Sequence, residues 1–163
     1  MTPPDERSAL VVDDHPLVAR GIADYLRAHC AFSRADPICR PAELWENIGQ
    51  FGAPALALVD FWLPGGTALP ILTRLRDEYP ATRLLVISGD GDPAVRDKVR
   101  RLSVDGFLLK HAEPAVFALA VAAVLRGDAW FDDAPVAGPA TDEARTLPLS
   151  AAERPPEQLS GDA

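Results

Sequence analysis

Cysteine is almost missing from this chain: Cys30 and Cys39 are the two among 163 residues. Two thiols build no disulfide framework, so stability has to come from a packed core, and their scarcity fits a reducing compartment. Long apolar runs are missing too. None approaches the roughly 18 residues of a membrane-crossing helix, so no membrane span is expected. Met1 to Arg7 lacks the basic start and apolar middle of a signal peptide, and a cytoplasmic location is the expectation. Positive charge is in short supply: 16 Lys and Arg face 24 Asp and Glu, for a formal net charge of -8. That balance argues against binding nucleic acid. No internal repeat is visible. What is present is a hydrophobic content of 48%, enough for a packed core in one domain of ordinary size.

The stretch from Pro54 to Thr67 organises the rest. Ala55 to Val59 is a short, continuous apolar run, the pattern of a strand buried on both faces of a parallel sheet. It ends in Asp60. Pro64-Gly65-Gly66 then breaks the chain before a new apolar-periodic segment. Ser8 to Val12 predicts a first strand ending in Asp13-Asp14, with Pro16 placed for the first turn of a helix running to about His29. Ala31 to Cys39 is ambiguous, because Pro37 suggests an edge strand or an irregular one. A second helix opens at Pro41 and stops near Gly49, and a third runs from about Leu69 to Glu78. Arg83 to Ser88 is the fourth strand. A loop over Gly89 to Asp92 and a strongly charged helix over about Ala94 to Leu102 follow it. Asp105 to Lys110 is the fifth strand, and Glu113 to Leu125 the fifth helix, closed by Gly127. This alternation predicts an α/β fold, (βα)5, with a parallel sheet, right-handed crossovers and helices on both faces.

That domain is expected over residues 1–127. Residues 128–163 hold eight acids against Arg145 and Arg154, and five prolines interrupt them. They predict a largely flexible acidic tail whose first residues pack back through Trp130 and Phe131.

In a parallel sheet all strand C-termini lie on one edge, where open α/β folds carry their chemistry. Asp13, Asp14, Asp60, Ser88 and Lys110 therefore converge. Three carboxylates repel one another, and a divalent cation resolves the repulsion. Oxygen ligands of this kind suit Mg²⁺, which takes one or two carboxylates plus phosphate oxygens. Asp60 can then be a nucleophile forming an aspartyl phosphate, with Mg²⁺ and Lys110 stabilising charge and the Ser88 hydroxyl bonding a phosphoryl oxygen. Each feature alone is weak, since a strand-end acid is often a cap and a strand-end lysine a solvated end. Four at four strand ends are a strong signal.

With these residues in place, the chain resembles a receiver domain of a two-component response regulator, over about residues 7–126. The fold implied is flavodoxin-like, with strand order 2-1-3-4-5. The resemblance implies Asp13 and Asp14 as the acid pair, Asp60 as phosphoacceptor, Ser88 as switch hydroxyl, Phe107 as switch aromatic, and the Trp62 backbone carbonyl as a further Mg²⁺ ligand. Val12-Asp13-Asp14-His15-Pro16 and Gly106-Phe107-Leu108-Leu109-Lys110 look most like the NarL/LuxR-type branch. The expected partners are a sensor histidine kinase, and a downstream protein or a second copy on the face of the fourth helix, fifth strand and fifth helix. The chain is expected to be a signalling switch and no enzyme. His111 stands where receivers often carry proline, and Trp62, two residues past the acceptor, is expected to slow dephosphorylation. Leu149 to Arg154 resembles the opening of the helix-turn-helix domain usual in this branch, but Pro155-Pro156 breaks it, and no DNA binding by this chain is expected.

Other classes compete. A haloacid-dehalogenase-type phosphatase would place a second Asp where this chain has Trp62. A flavodoxin-type binder would want a hydroxyl-rich phosphate loop where Asp13-Asp14 would repel the ligand. A pseudo-receiver that binds proteins without phosphorylation, and a transcription regulator lacking its DNA-binding domain, are the remaining alternatives.

Overall fold

The computed structural model describes residues 6–131. Five βα units follow one another: β1 (Ser8–Val12), α1 (Pro16–His29), β2 (Arg34–Ile38), α2 (Pro41–Phe51), β3 (Leu56–Asp60), α3 (Leu69–Glu78), β4 (Arg83–Ser88), α4 (Pro93–Arg100), β5 (Gly106–Leu109) and α5 (Pro114–Arg126). A two-residue strand, β6 (Trp130–Phe131), ends the described part. Every helix carries proline at its first or second position, where the missing N–H would have no intrahelical partner anyway.

The sheet is parallel, in the order β2-β1-β3-β4-β5-β6. The expected flavodoxin-like 2-1-3-4-5 arrangement is present, with one strand added beyond β5. Pro37 sits in β2, which among the described residues pairs with β1 alone, so the proline occupies an edge where its missing donor costs little. Side chains alternate between two cores. Leu10, Val12, Ala57, Val59, Leu84, Val86 and Phe107 meet residues of α2, α3 and α4 on one face. Ala9, Val11, Leu56, Leu58, Leu85, Ile87 and Leu108 meet α1 and α5 on the other. All five residues of β3 are buried, as expected for a central strand covered on both faces.

β6 begins three residues past the expected boundary at 127. Trp130 packs against the α1/α5 core and Phe131 against the opposite one. The close approach needs glycine at Gly106: a Cβ there would stand 2.6 Å from the Trp130 carbonyl oxygen and 2.9 Å from Leu85. Residues 132–163, expected as the flexible tail, lie outside the described residues. No helix among the described residues is long and apolar enough to cross a membrane.

Candidate functional site

Strand register sets the site. Val12 lies beside Val59, Asp60 beside Ile87 and Ser88 beside Leu109, so the residues at or just past these strand ends share one edge. Backbone bonds hold the ends together. Asp13 N–H donates to Ile38 O at 3.0 Å and Lys110 N–H to Ser88 O at 2.8 Å.

The structure brings Asp13, Asp14, Asp60 and Lys110 together. Lys110 Nζ stands 2.8 Å from Asp13 Oδ2 and 3.0 Å from Asp60 Oδ2. Asp13 and Asp60 are almost wholly buried, at 0% and 3% exposure. Burial by itself pushes Asp13 up, but hydrogen bonds from Lys110 and His15 outweigh it and leave the carboxyl below its ordinary value. Asp60 goes the other way. Burial and the neighbouring Asp13 charge raise it, and Lys110 offsets this only in part. Burial lowers Lys110, but its bonds to the two carboxylates outweigh that and raise it. One ammonium therefore serves two acids, and the more poorly served is Asp60.

Ser88 is fully buried, and its hydroxyl accepts the Asp90 N–H at 3.0 Å, which ties it to the β4–α4 loop. Phe107 is fully buried, paired in register with Val86 on one side and Phe131 on the other. Trp62 is 47% exposed, and its N–H reaches Asp60 Oδ1 at 3.3 Å. It belongs to a small hairpin, Trp62–Leu63 against Gly66–Thr67, whose turn requires positive φ at Gly65 and Gly66 (88° and 144°). An open cavity of about 440 Å³ lies over the acids, with Asp14, His15, Asp60, Trp62 and Lys110 in its wall.

His15 belongs to this group, and the sequence reading gave it no role. Its extended backbone (φ -99°, ψ 103°) is what a residue before proline adopts, and it stands at the N-cap position of α1 without a side-chain capping bond. Both its N–H and its Nδ1 lie 2.9 Å from Asp13 Oδ1, and Nδ1 lies 3.2 Å from Asp14 Oδ1. The bond with Asp13 and the charge of Asp14 raise its pKa above the ordinary value. The signal that could have found it was adjacency to Asp13-Asp14 with Pro16 fixing the backbone.

The donor set fits a divalent cation. One donor atom from each of Asp13, Asp14, His15 and Asp60 lies within 4.8 Å of all the others. Asp13 Oδ2 is buried against the Lys110 ammonium alone, and Asp14 Oδ1 is buried with no hydrogen bond and only the His15 ring facing it.

A response regulator receiver domain profile matches residues 9–122. The chain is 32% identical over 123 residues to the transcriptional activator protein ExaE of Pseudomonas putida, covering 76% of this chain and 57% of that protein. It is 24% identical to the transcriptional regulatory protein RcsB of Escherichia coli (strain K12), covering 74% and 56%. The chain thus spans a little over half the length of these curated relatives. Among solved structures, the isolated receiver domain of RcsB from Salmonella enterica serovar Typhimurium, in the presence of phosphomimetic BeF₃⁻, superposes with a TM-score of 0.70 at 21% identity. That match covers 78% of this chain and 94% of the other. The signal receiver domain assigned to NarL of Mycobacterium tuberculosis superposes at 0.66 with 27% identity, covering 76% and 99%.

Proposed function

We propose, from the premise that this chain belongs to the response regulator receiver domain family, that Asp60 accepts a phosphoryl group from a sensor histidine kinase. The observation that carries the proposal is Lys110 Nζ held 2.8 Å from Asp13 Oδ2 and 3.0 Å from Asp60 Oδ2 at the wall of an open cavity. An Asp60 carboxylate oxygen attacks phosphorus in line, an O–P bond forms, and the P–N bond to the kinase histidine breaks with its electron pair returning to the imidazole. Lys110 stays beside the reacting oxygens and neutralises charge as it gathers on them. Asp13, Asp14, Asp60 and the Trp62 backbone carbonyl would hold Mg²⁺, which when bound supplies positive charge on the phosphoryl oxygens. Trp62, in the cavity wall, shields Asp60 and slows the loss of the phosphoryl group to water. The protein works as a cytoplasmic switch rather than an enzyme with turnover.

The attached group adds negative charge and acceptor oxygens next to Ser88 and Lys110. The Ser88 hydroxyl exchanges the Asp90 N–H for a phosphoryl oxygen, drawing in the β4–α4 loop, and Phe107 turns into the space left behind. The altered face is α4, β5 and α5, which binds a downstream protein or a second copy. A second reading is favoured by the relatives' names, both of transcriptional regulators only partly spanned by this chain: the receiver then controls a DNA-binding part not contained in the described residues. Incubation with acetyl phosphate and Mg²⁺ should add one phosphoryl mass to the wild type and none to Asp60→Asn. A pseudo-receiver would show no added mass, and labelling that persists in Asp60→Asn would refute the assignment of the acceptor.

A further inference from the structure

We infer that His15 is a nitrogen donor of the acid pocket and makes it prefer a first-row transition-metal dication of the Co²⁺ class over Mg²⁺. The inference rests on the proposed role of Asp13 and Asp14 as metal ligands and adds the identity of the ion. Three donor atoms already cluster: His15 Nδ1 lies 2.9 Å from Asp13 Oδ1 and 3.2 Å from Asp14 Oδ1. Neighbouring ligands on a cation with bonds of about 2.1 Å stand about 3 Å apart, so the cluster needs little rearrangement to close on an ion. Asp13 is fully buried, its Oδ2 already held by the single ammonium of Lys110, and Asp14 Oδ1 is buried and lacks a hydrogen bond.

Charge agrees with this geometry. Asp13, Asp14 and Asp60 carry three negative charges against the single ammonium of Lys110, leaving a deficit that a dication and a neutral imidazole fill. The ring hydrogen then sits on Nε2. The His15 side chain is 64% exposed, so no core packing opposes the small turn of the ring. Its backbone is held by Pro16 and by the N–H bond to Asp13, so the ring stays at the cavity wall. An all-oxygen pocket suits Mg²⁺, whereas one imidazole shifts the preference along the transition series, where affinity rises from Mn²⁺ towards Cu²⁺.

The test titrates the full chain with Mg²⁺ and, separately, Co²⁺, followed by tryptophan fluorescence and by the visible ligand-field absorption of Co²⁺. Wild type, His15→Ala, His15→Gln and Asp14→Asn are compared. The Co²⁺-over-Mg²⁺ preference should fall by about tenfold or more in both His15 variants, with Mg²⁺ affinity little changed and the Co²⁺ spectrum altered. An unchanged preference and spectrum in those variants would overturn the inference. So would an equal change in affinity for both ions, which would make His15 a competitor for the pocket. If the wild type binds neither ion saturably and Asp14→Asn behaves like it, the metal reading of the acids fails before the question of His15 arises.

Discussion

Asp60 and Asp13 are two buried carboxylates that share the ammonium of Lys110. At Asp60 the arrangement is poor for stability, because repulsion from Asp13 and loss of hydration are only partly repaid by Lys110. Two substitutions should therefore move stability in opposite directions without Mg²⁺. Asp60→Asn removes one of the repelling charges and leaves Lys110 with Asp13, so it should stabilise by about 1 kcal/mol. Lys110→Met leaves Asp60 without its cation and Asp13 with His15 alone, and should destabilise by about 2 kcal/mol or more. Urea unfolding at low divalent concentration checks both, and a destabilised Asp60→Asn would show that Lys110 more than repays the two acids.

The sheet's last element, β6, is short, but it is held from several sides. Its Trp130 N–H donates to Asp105 O at 3.1 Å, its two residues pack into opposite cores, and the Arg100 guanidinium of α4 lies 4.2 Å over the Phe131 ring. It is seated beside Phe107, the residue proposed to move. Gly106→Ala places a methyl 2.6 Å from the Trp130 carbonyl oxygen, so the β6 backbone must shift; the variant should be destabilised by about 1–3 kcal/mol and show increased amide exchange at Trp130 and Phe131. Exchange confined to α3 instead would contradict the role of Gly106 as the seat of β6.

For the molecule as a whole, the proposed switch and the tail make separate predictions. Among the described residues α4 is the shortest helix, with eight residues, and buries only Val95 and Val99 where α2 and α3 bury two larger Leu or Ile side chains each, so it is the helix that moves at least cost. Beryllofluoride with Mg²⁺ should change amide exchange in α4 and β5 and promote partner binding or dimerisation, and Ser88→Ala should blunt both. A full response in Ser88→Ala would sink the Ser88 mechanism. For residues 128–163 we propose that folding needs the start and not the remainder, since the acidic, proline-rich part offers too little apolar area to offset ordering. A stop after Asp133 should leave Tm nearly unchanged, whereas a stop after Gly127 removes β6 and should lower it. A large loss on stopping after Asp133 would show that later residues support the fold.

The sequence alone determined the order of the five helices and of the strands except the second and the last, and the strand-end residues Asp13, Asp14, Asp60, Ser88 and Lys110. Those signals are local: an apolar run bounded by an acid or a glycine, a proline opening each helix, and a parallel sheet's rule that strand ends share an edge. Only the tertiary structure decided the rest. Arg34–Ile38 became a strand despite Pro37 because β1 offered an edge where no donor was needed. Trp130 and Phe131, too short a pair for any periodicity to register, became β6 because Gly106 let their backbone approach. His15 joined the acids because Pro16 and the cap of α1 turn its ring onto Asp13. Each depends on a partner distant in sequence or on a side-chain direction, and neither is encoded in the spacing of apolar residues along a chain.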